Sequence, residues 1–305
     1  MHLAEGALPL GQALAWCALA APALVWSVAG ERAARRDAPY AATLSAGATS
    51  LLFAATLLPL PVPVIGATSH ICLTPVLALV LGVRRVVWPT FFVLLLQALF
   101  FAHGGITTLG VNTLTLGLIG PLVTLVLRPT LRQFGAGGLG VACALGGLAV
   151  YVADALVLAV ALAEAAAPQA TFVSVVLGFA PVQVPLAVLE GVVSAALLRL
   201  LLRRRTDLLP GHLRDLAPAL PITRPNTLLA LLVLLGLTGC NYSGIDGTVF
   251  GATAEAAGRP AQDSLIDLSQ GELGLAMTIV VLFSLGFVAG RTWERLNAGR
   301  HTPAR

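Results

Sequence analysis

The sequence predicts an all-α polytopic membrane protein: a seven-helix bundle plus two C-terminal transmembrane helices, N-terminus outside and C-terminus cytoplasmic. Three observations predict it. Hydrophobic residues make up 57% of the 305 residues, charged residues 10%, and mean hydropathy is +0.91, more apolar surface than a water-soluble fold can hide. The apolar residues fall in runs close to the ~20 residues that cross a bilayer core as a helix. The chain has no lysine, and its arginines gather at alternate ends of these runs, as a bias of basic residues to the cytoplasmic side requires.

The first run, Leu10 to Ala29, ends at Glu31-Arg32 and Arg35-Arg36 and so passes from outside to inside. Met1 to Pro9 lacks the basic start of a signal peptide, so the N-terminus is expected to survive in the mature protein. The second run, Tyr40 to Leu60, stops at Pro59-Leu60-Pro61-Val62-Pro63, read as an exterior turn because proline cannot continue a helix. The third, Thr68 to Val83, meets Arg84-Arg85 inside, and the fourth, Val86 to Ala102, emerges at His103-Gly104-Gly105. The fifth, Ile106 to Leu127, returns to Arg128 and Arg132; the sixth, Leu139 to Ala163, exits at Glu164; the seventh, Thr171 to Leu202, ends in Arg199, Arg203, Arg204 and Arg205. Every basic cluster falls on one side.

These spans define a seven-helix membrane domain over 1–205. A proline-bearing stretch over 206–226 reads as a cytoplasmic linker, and 227–305 as a two-helix region. Its runs, from Thr227 to about Thr238 and from Leu273 to Gly290, flank an exterior loop with five acids against one arginine, Arg259. The last run ends inside at Arg291, Arg295 and Arg300. The acids of that loop would raise the local cation concentration. Cys17, Cys72, Cys143 and Cys240 are scattered singly, which indicates neither a zinc ribbon nor a disulfide framework. Leu237-Thr238-Gly239-Cys240 matches a lipoprotein cleavage box, a short pattern that also arises by chance.

Chemistry concentrates at the start, Met1-His2-Leu3-Ala4-Glu5-Gly6. The Met1 amine, the Met1–His2 amide nitrogen and the His2 ring can close consecutive chelate rings around one ion. Three nitrogens from two residues, completed by one more imidazole, suit a late transition metal such as Ni(II) rather than Mg or Ca. His212 and His301 lie in cytoplasmic segments, which leaves His70 and His103 as exterior candidates. His70 is favoured, because the first turn of a short outer helix would hold it rigidly and its neighbours Thr68 and Ser69 can orient its ring. Glu190 in the seventh run is a costly intramembrane carboxylate, expected to hydrogen-bond between helices and to lie too deep for an exterior site. Gln97 and Asn112 are read as interhelical hydrogen bonders, with Asn112 also a candidate for contact with the metal ligands.

Met1-His2-Leu3-Ala4-Glu5-Gly6-Ala7-Leu8-Pro9 resembles the M-H-I-x-E/D-G-x-L start of the CbiM/NikM family, the substrate-binding components of energy-coupling-factor transporters for cobalt and nickel. Two further stretches are similar to family segments: Leu96 to Asn112 (L-Q-A-L-x-F-x-x-G-G-L-x-x-L-G-x-N) and Leu189 to Ala195 (E-G-x-x-T/S-A). The resemblance implies that the N-terminal segment tucks into the bundle from outside. It implies an ion bound by the Met1 amine, the His2 amide nitrogen and ring, and His70, with Glu5, Thr68, Ser69, His103 and Asn112 around these ligands. Ala67-Thr68-Ser69-His70 fits the family's G-T/S-S-x-H-like context loosely. Residues 227–305, with Gly244-Ile245-Asp246-Gly247, look like the two-helix CbiN/NikN or PDGLE-type component.

The resemblance implies that Co2+ or Ni2+ is cargo, that a transmembrane coupling subunit and separate ATP-binding subunits are partners, and that the chain resides in the bacterial inner membrane. A chain without lysine cannot carry a Walker lysine, so the energy must come from elsewhere. No nucleic-acid partner, resident cofactor or catalytic residue is expected. Two readings compete: an intramembrane metalloenzyme, disfavoured by the lack of H-E-x-x-H, and a stand-alone secondary metal transporter using Glu190 or Asp154 as a proton relay.

Overall fold

The structure, a computed structural model, describes residues 3–38, 40–57, 60–62, 67–101, 103–162, 168–216, 243–244, 252–260, 262 and 271–298. The expected span from Thr227 to Thr238 and the Cys240 box lie outside the described residues.

Helix α1 runs from Leu10 to Asp37, starting directly after Pro9 and ending with Arg35 and Arg36 in its last turn, where cations meet the negative end of the helix dipole. Ala38 is extended, as a residue before proline must be. Helix α2 covers Ala41–Leu57. The proline-rich stretch after it folds as a hairpin: β1 (Leu60–Val62) pairs antiparallel with β2 (Ala67–Ser69), Leu60 opposite Ser69. A third short strand, β3 (Ser243–Gly244), pairs in parallel with β2 and brings the C-terminal region to the hairpin.

The third apolar run departs from expectation. Only Thr74–Leu81 is helical (α3), 8 residues, about 12 Å at 1.5 Å per residue and less than half a bilayer core. Pro75 sits in its first turn, where the missing N–H costs nothing, and Leu73 before it adopts a left-handed conformation, φ 54°. All eight residues of α3 are buried, so it is an interior half-helix rather than a span. A single 3₁₀ turn, Val83–Arg85, follows, then α4 (Val87–Phe101).

Helices α5 (Leu109–Leu114) and α6 (Gly120–Leu131) form one rod interrupted by a π-helical segment, Thr115–Ile119. Pro121 follows one turn later and cannot donate to the carbonyl four residues before it, which accounts for the local widening. Helices α7 (Gly135–Ala161) and α8 (Pro168–Arg204) make the most extensive helix pair, their backbones brought close by Gly140 and Gly191. Short α9 (Gly211–Arg214) and α10 (Ala252–Ala256) precede the long α11 (Gly271–Ala298), which lies against α2.

Among the described residues, four helical stretches are long and apolar enough to cross a membrane: Leu10–Asp37, Val83–Phe101, Leu109–Ala161, which contains the α5–α6 rod and α7, and Ala180–Arg204. Two shorter apolar helices, Ala41–Leu57 and Ile279–Thr292, accompany them. One end of the bundle carries the arginines and is tied by them. Glu31, buried at the end of α1, accepts from Arg35 Nε (3.0 Å), Arg85 Nε (2.9 Å) and Ser45 Oγ (2.8 Å), joining α1, α2 and the 3₁₀ turn. At the opposite end one packed core gathers Leu3, Cys72, Val111, Tyr151 and Leu158, so the N-terminal segment belongs to the interior.

Candidate metal centre

Leu3 is wholly buried and held by its backbone. Its N–H donates to Asn112 Oδ1 at 3.0 Å, and its carbonyl accepts from Asn112 Nδ2 at 3.1 Å and Thr108 Oγ1 at 2.7 Å. One side-chain amide thus replaces a neighbouring strand for one residue. Asn112 and Thr108 lie one turn apart at the start of α5, and Asn112 Nδ2 also donates to Thr108 Oγ1 at 3.1 Å. The expectation that Asn112 bonds between helices is corrected: it clamps the N-terminal segment, next in sequence to His2. Gln97 does bond between helices, donating from Nε2 to Thr56 Oγ1 at 2.7 Å.

Glu5 is the second anchor. Its carboxylate is 5% exposed and accepts from the backbone N–H groups of Ile106 (2.6 Å) and Thr107 (3.3 Å) and from the Thr107 hydroxyl. A carboxylate set on unpaired N–H groups just ahead of a helix is stabilised by both hydrogen bonds and dipole. Gly105 makes the approach feasible, since a Cβ there would lie 2.7 Å from the Glu5 Cα. The segment Gly105–Asn112 is therefore a receptor for Leu3 and Glu5. Sequence reasoning singled out Asn112 and Glu5 but missed Thr107 and Thr108, although both lie inside the Leu96–Asn112 stretch.

His70 lies between β2 and α3, not in the first turn of a helix, and is 4% exposed. The ring of His103, from the loop after α4, stands 5.4 Å from the His70 ring at 66°. The two exterior histidine candidates are thus side by side. His70 Nδ1 lies 3.4 Å from the Ile71 carbonyl; a proton on Nδ1 leaves the lone pair on Nε2 for a metal. Burial pushes the His70 imidazole well below its usual pKa, and His103 adds to the effect, so the ring is neutral and able to ligate near pH 7.

The loop carrying His70 is fastened by a residue expected to hydrogen-bond between helices and to lie too deep for an exterior site. Glu190 of α8, 2% exposed, accepts from the Leu73 N–H at 3.0 Å and the Cys72 N–H at 3.4 Å. The start of α3 is buried, and Glu190 meets it there. Gly147 of α7 leaves the room: a Cβ there would stand 2.8 Å from Glu190 Oε2. Glu190→Gln, which keeps one acceptor oxygen, is expected to weaken metal affinity by no more than about tenfold. Glu190→Leu, which strands two buried N–H groups, is expected to weaken it by about 10- to 100-fold, the range seen when residues supporting metal ligands are removed. Titration of both variants with Co(II) checks this, and equal affinity in Glu190→Leu and the parent would contradict it.

Met1 and His2 lie outside the described residues, as do the side chains of Thr68 and Ser69, whose backbones form part of β2. Among the described residues no three His, Cys, Asp or Glu side chains form a ligand set. Two imidazoles, those of His70 and His103, are brought together.

The family described as "Cobalt uptake substrate-specific transmembrane region", CbiM, matches residues 2–208. A cobalt transport protein CbiM of Geobacter sulfurreducens is 35% identical over 318 aligned residues, covering 99% of this chain and 91% of the relative, so that alignment continues through the C-terminal region. A cobalt transport protein CbiM of Sorangium cellulosum is 40% identical and covers 68% of this chain and 94% of that one. A crystal structure of a truncated transition metal transporter superposes with a TM-score of 0.56 at 20% identity, over 66% of this chain and 98% of that chain, a likeness of fold.

Proposed function

Because this chain belongs to the CbiM family, we propose that it is the substrate-specificity component of an energy-coupling-factor importer, capturing Co2+ or Ni2+ at a site formed by its N-terminus and His70. The ligands are the Met1 amine, the His2 amide nitrogen and ring, and the His70 ring. The observation that carries the reading is the fixing of Leu3 by Asn112 and Thr108 in the core that also holds Cys72. Leu3 and Cys72, two residues on from His70, belong to one packed core, which supports the reading that the donors ahead of Leu3 and the His70 ring serve one ion. Nitrogen donors of this kind suit late transition metals.

In this reading residues 1–205 form the metal-binding domain of seven membrane segments, α3 a half-length one, with the N-terminus outside and the arginine-bearing end in the cytoplasm of a bacterial cell. A coupling subunit and ATP-binding subunits drive release. Residues 206–226 link to a CbiN/NikN-like region over 227–305. Support for that region acting at the site comes from two contacts: β3 extends the hairpin that leads to His70, and the Gln262 N–H donates to the Glu5 carbonyl at 3.3 Å.

Isothermal titration of the purified chain with Co(II) and Ni(II), with metal analysis of the protein as isolated, tests the proposal. One ion per chain is expected, and absence of binding to either would refute it. Affinity is also expected to fall steadily between about pH 8 and about pH 5, values that bracket the unperturbed α-amine and histidine pKa values of about 7.7–8.0 and 6.5. The sign follows from competition, since protons displace the metal from the amine first and from the buried His70, with its depressed pKa, last. An affinity constant across that range would argue against nitrogen ligation.

A further inference from the structure

At the arginine-bearing end of α1, a cavity of about 600 Å³ runs between α1 and the start of α4, walled by Leu24, Val25, Val28, Arg32 and Arg36 on one side and Trp88 on the other. Its ends differ in chemistry. From Leu24 to Arg36 the helix rises about 18 Å, close to one leaflet of a bilayer whose full thickness with headgroups is ~40–45 Å. Leu24, Val25 and Val28 line the deep end, and Val25 is 70% exposed, so the cavity opens sideways to the hydrocarbon. Arg32 and Arg36 line the shallow end.

These two guanidiniums differ from the other arginines nearby. Arg35 and Arg85 are bound to Glu31 at 3.0 and 2.9 Å, and Arg84 donates to the Trp26 carbonyl at 3.2 Å and lies 6.0 Å from the Trp26 ring. Arg32 and Arg36 make no ion pair among the described residues, not even with the adjacent Asp37. They stand one helical turn apart on one stripe of α1, a spacing from which both forks can reach one phosphate. The opposite wall is fixed: the Trp88 N–H donates to Ser27 Oγ at 2.9 Å, and its ring stacks on Phe91 and Phe92 with centroids 5.9 and 6.4 Å away. Tryptophan with an exposed edge at headgroup depth is a membrane-interface anchor.

We propose that this cavity binds an anionic glycerophospholipid of the leaflet at the arginine-bearing end, its phosphate between Arg32 and Arg36 and an acyl chain along Val25 and Val28 against Trp88. Solvated arginines alone would account for the charge. The single cavity that runs from that charge into an apolar slot one leaflet long calls for a ligand with both parts.

The test uses the full chain in mild detergent, stripped of lipid and given equal amounts of phosphatidylglycerol and phosphatidylcholine with the same acyl chains, with bound lipid read by native mass spectrometry. Retention of phosphatidylglycerol over phosphatidylcholine is expected. Arg32→Gln with Arg36→Gln should lower that retention roughly thirtyfold, the scale for losing two interfacial arginines. Val28→Trp, which fills the slot and keeps the charge, should lower retention of both lipids. Arg199→Gln with Arg204→Gln, which removes two arginines elsewhere at the same end, should change nothing. Equal retention of the two lipids, full retention in Val28→Trp, or an equal loss in the Arg199/Arg204 variant would each overturn the proposal, the last by reducing it to diffuse charge. Retention of neither lipid would also overturn it and leave the groove to a protein subunit.

Discussion

A Gly-Ser extension ahead of Met1 is expected to abolish high-affinity binding of Co2+ and Ni2+ while the bundle stays folded and inserted. The extension turns the Met1 amine into an amide and removes one of the proposed donors. Leu3 is held at both its N–H and its carbonyl, and Glu5 is held by Ile106 and Thr107. The segment from Leu3 onward should therefore keep its contacts while the donor is lost. The loss should exceed ~100-fold, since it removes a ligand rather than a residue that supports one. The same two residues added after Arg305 should leave affinity and uptake unchanged. Calorimetry on both proteins, with circular dichroism to confirm the fold, checks the pair; full affinity in the extended protein would rule out the amine even if both histidines proved essential.

His70→Ala is expected to cost more than ~100-fold in metal affinity, and His103→Ala less than about tenfold. The contrast is a stringent one, because the two rings are only 5.4 Å apart. Their settings differ. His70 is 4% exposed on a loop pinned by Glu190 through Cys72 and Leu73, whereas His103 is half-buried on a loop whose own N–H donates to the Gln97 carbonyl at 3.2 Å. A ligand needs the fixed position, and a neighbouring ring needs only to shield it. Equal losses in the two variants would mean that the fourth ligand is misassigned. Because His70→Ala also empties a buried site, its thermal unfolding should be recorded beside the titration.

Composition and arginine placement made the membrane class legible, because bilayer burial acts on every residue of a span at once. The long helices α1, α4, α7 and α8 fall within a few residues of the apolar runs, apart from the extra turns at the end of α1. The third run was misread because hydropathy reports burial and not what does the burying. An interior half-helix wrapped by α6 and α7 is as apolar as a lipid-facing span. Thr74-Pro75 was the available signal, since proline belongs in a first turn. The short outer helix expected to carry His70 in its first turn begins only at Thr74, so His70 precedes it, and the N–H groups of Cys72 and Leu73 at its start meet Glu190. Asn112 was visible as a polar residue needing partners, but no periodicity could reveal that its partner is the backbone of Leu3, 109 residues away.

X-ray absorption at the cobalt edge, on the loaded full-length chain and on its Gly-Ser-extended form, tests the central claim most directly. The account predicts a coordination shell made only of nitrogen, with the outer scattering of imidazole rings, and loss of bound cobalt or a changed shell in the extended protein. Sulfur or carboxylate oxygen in the shell, or an identical spectrum from the extended protein, would contradict it.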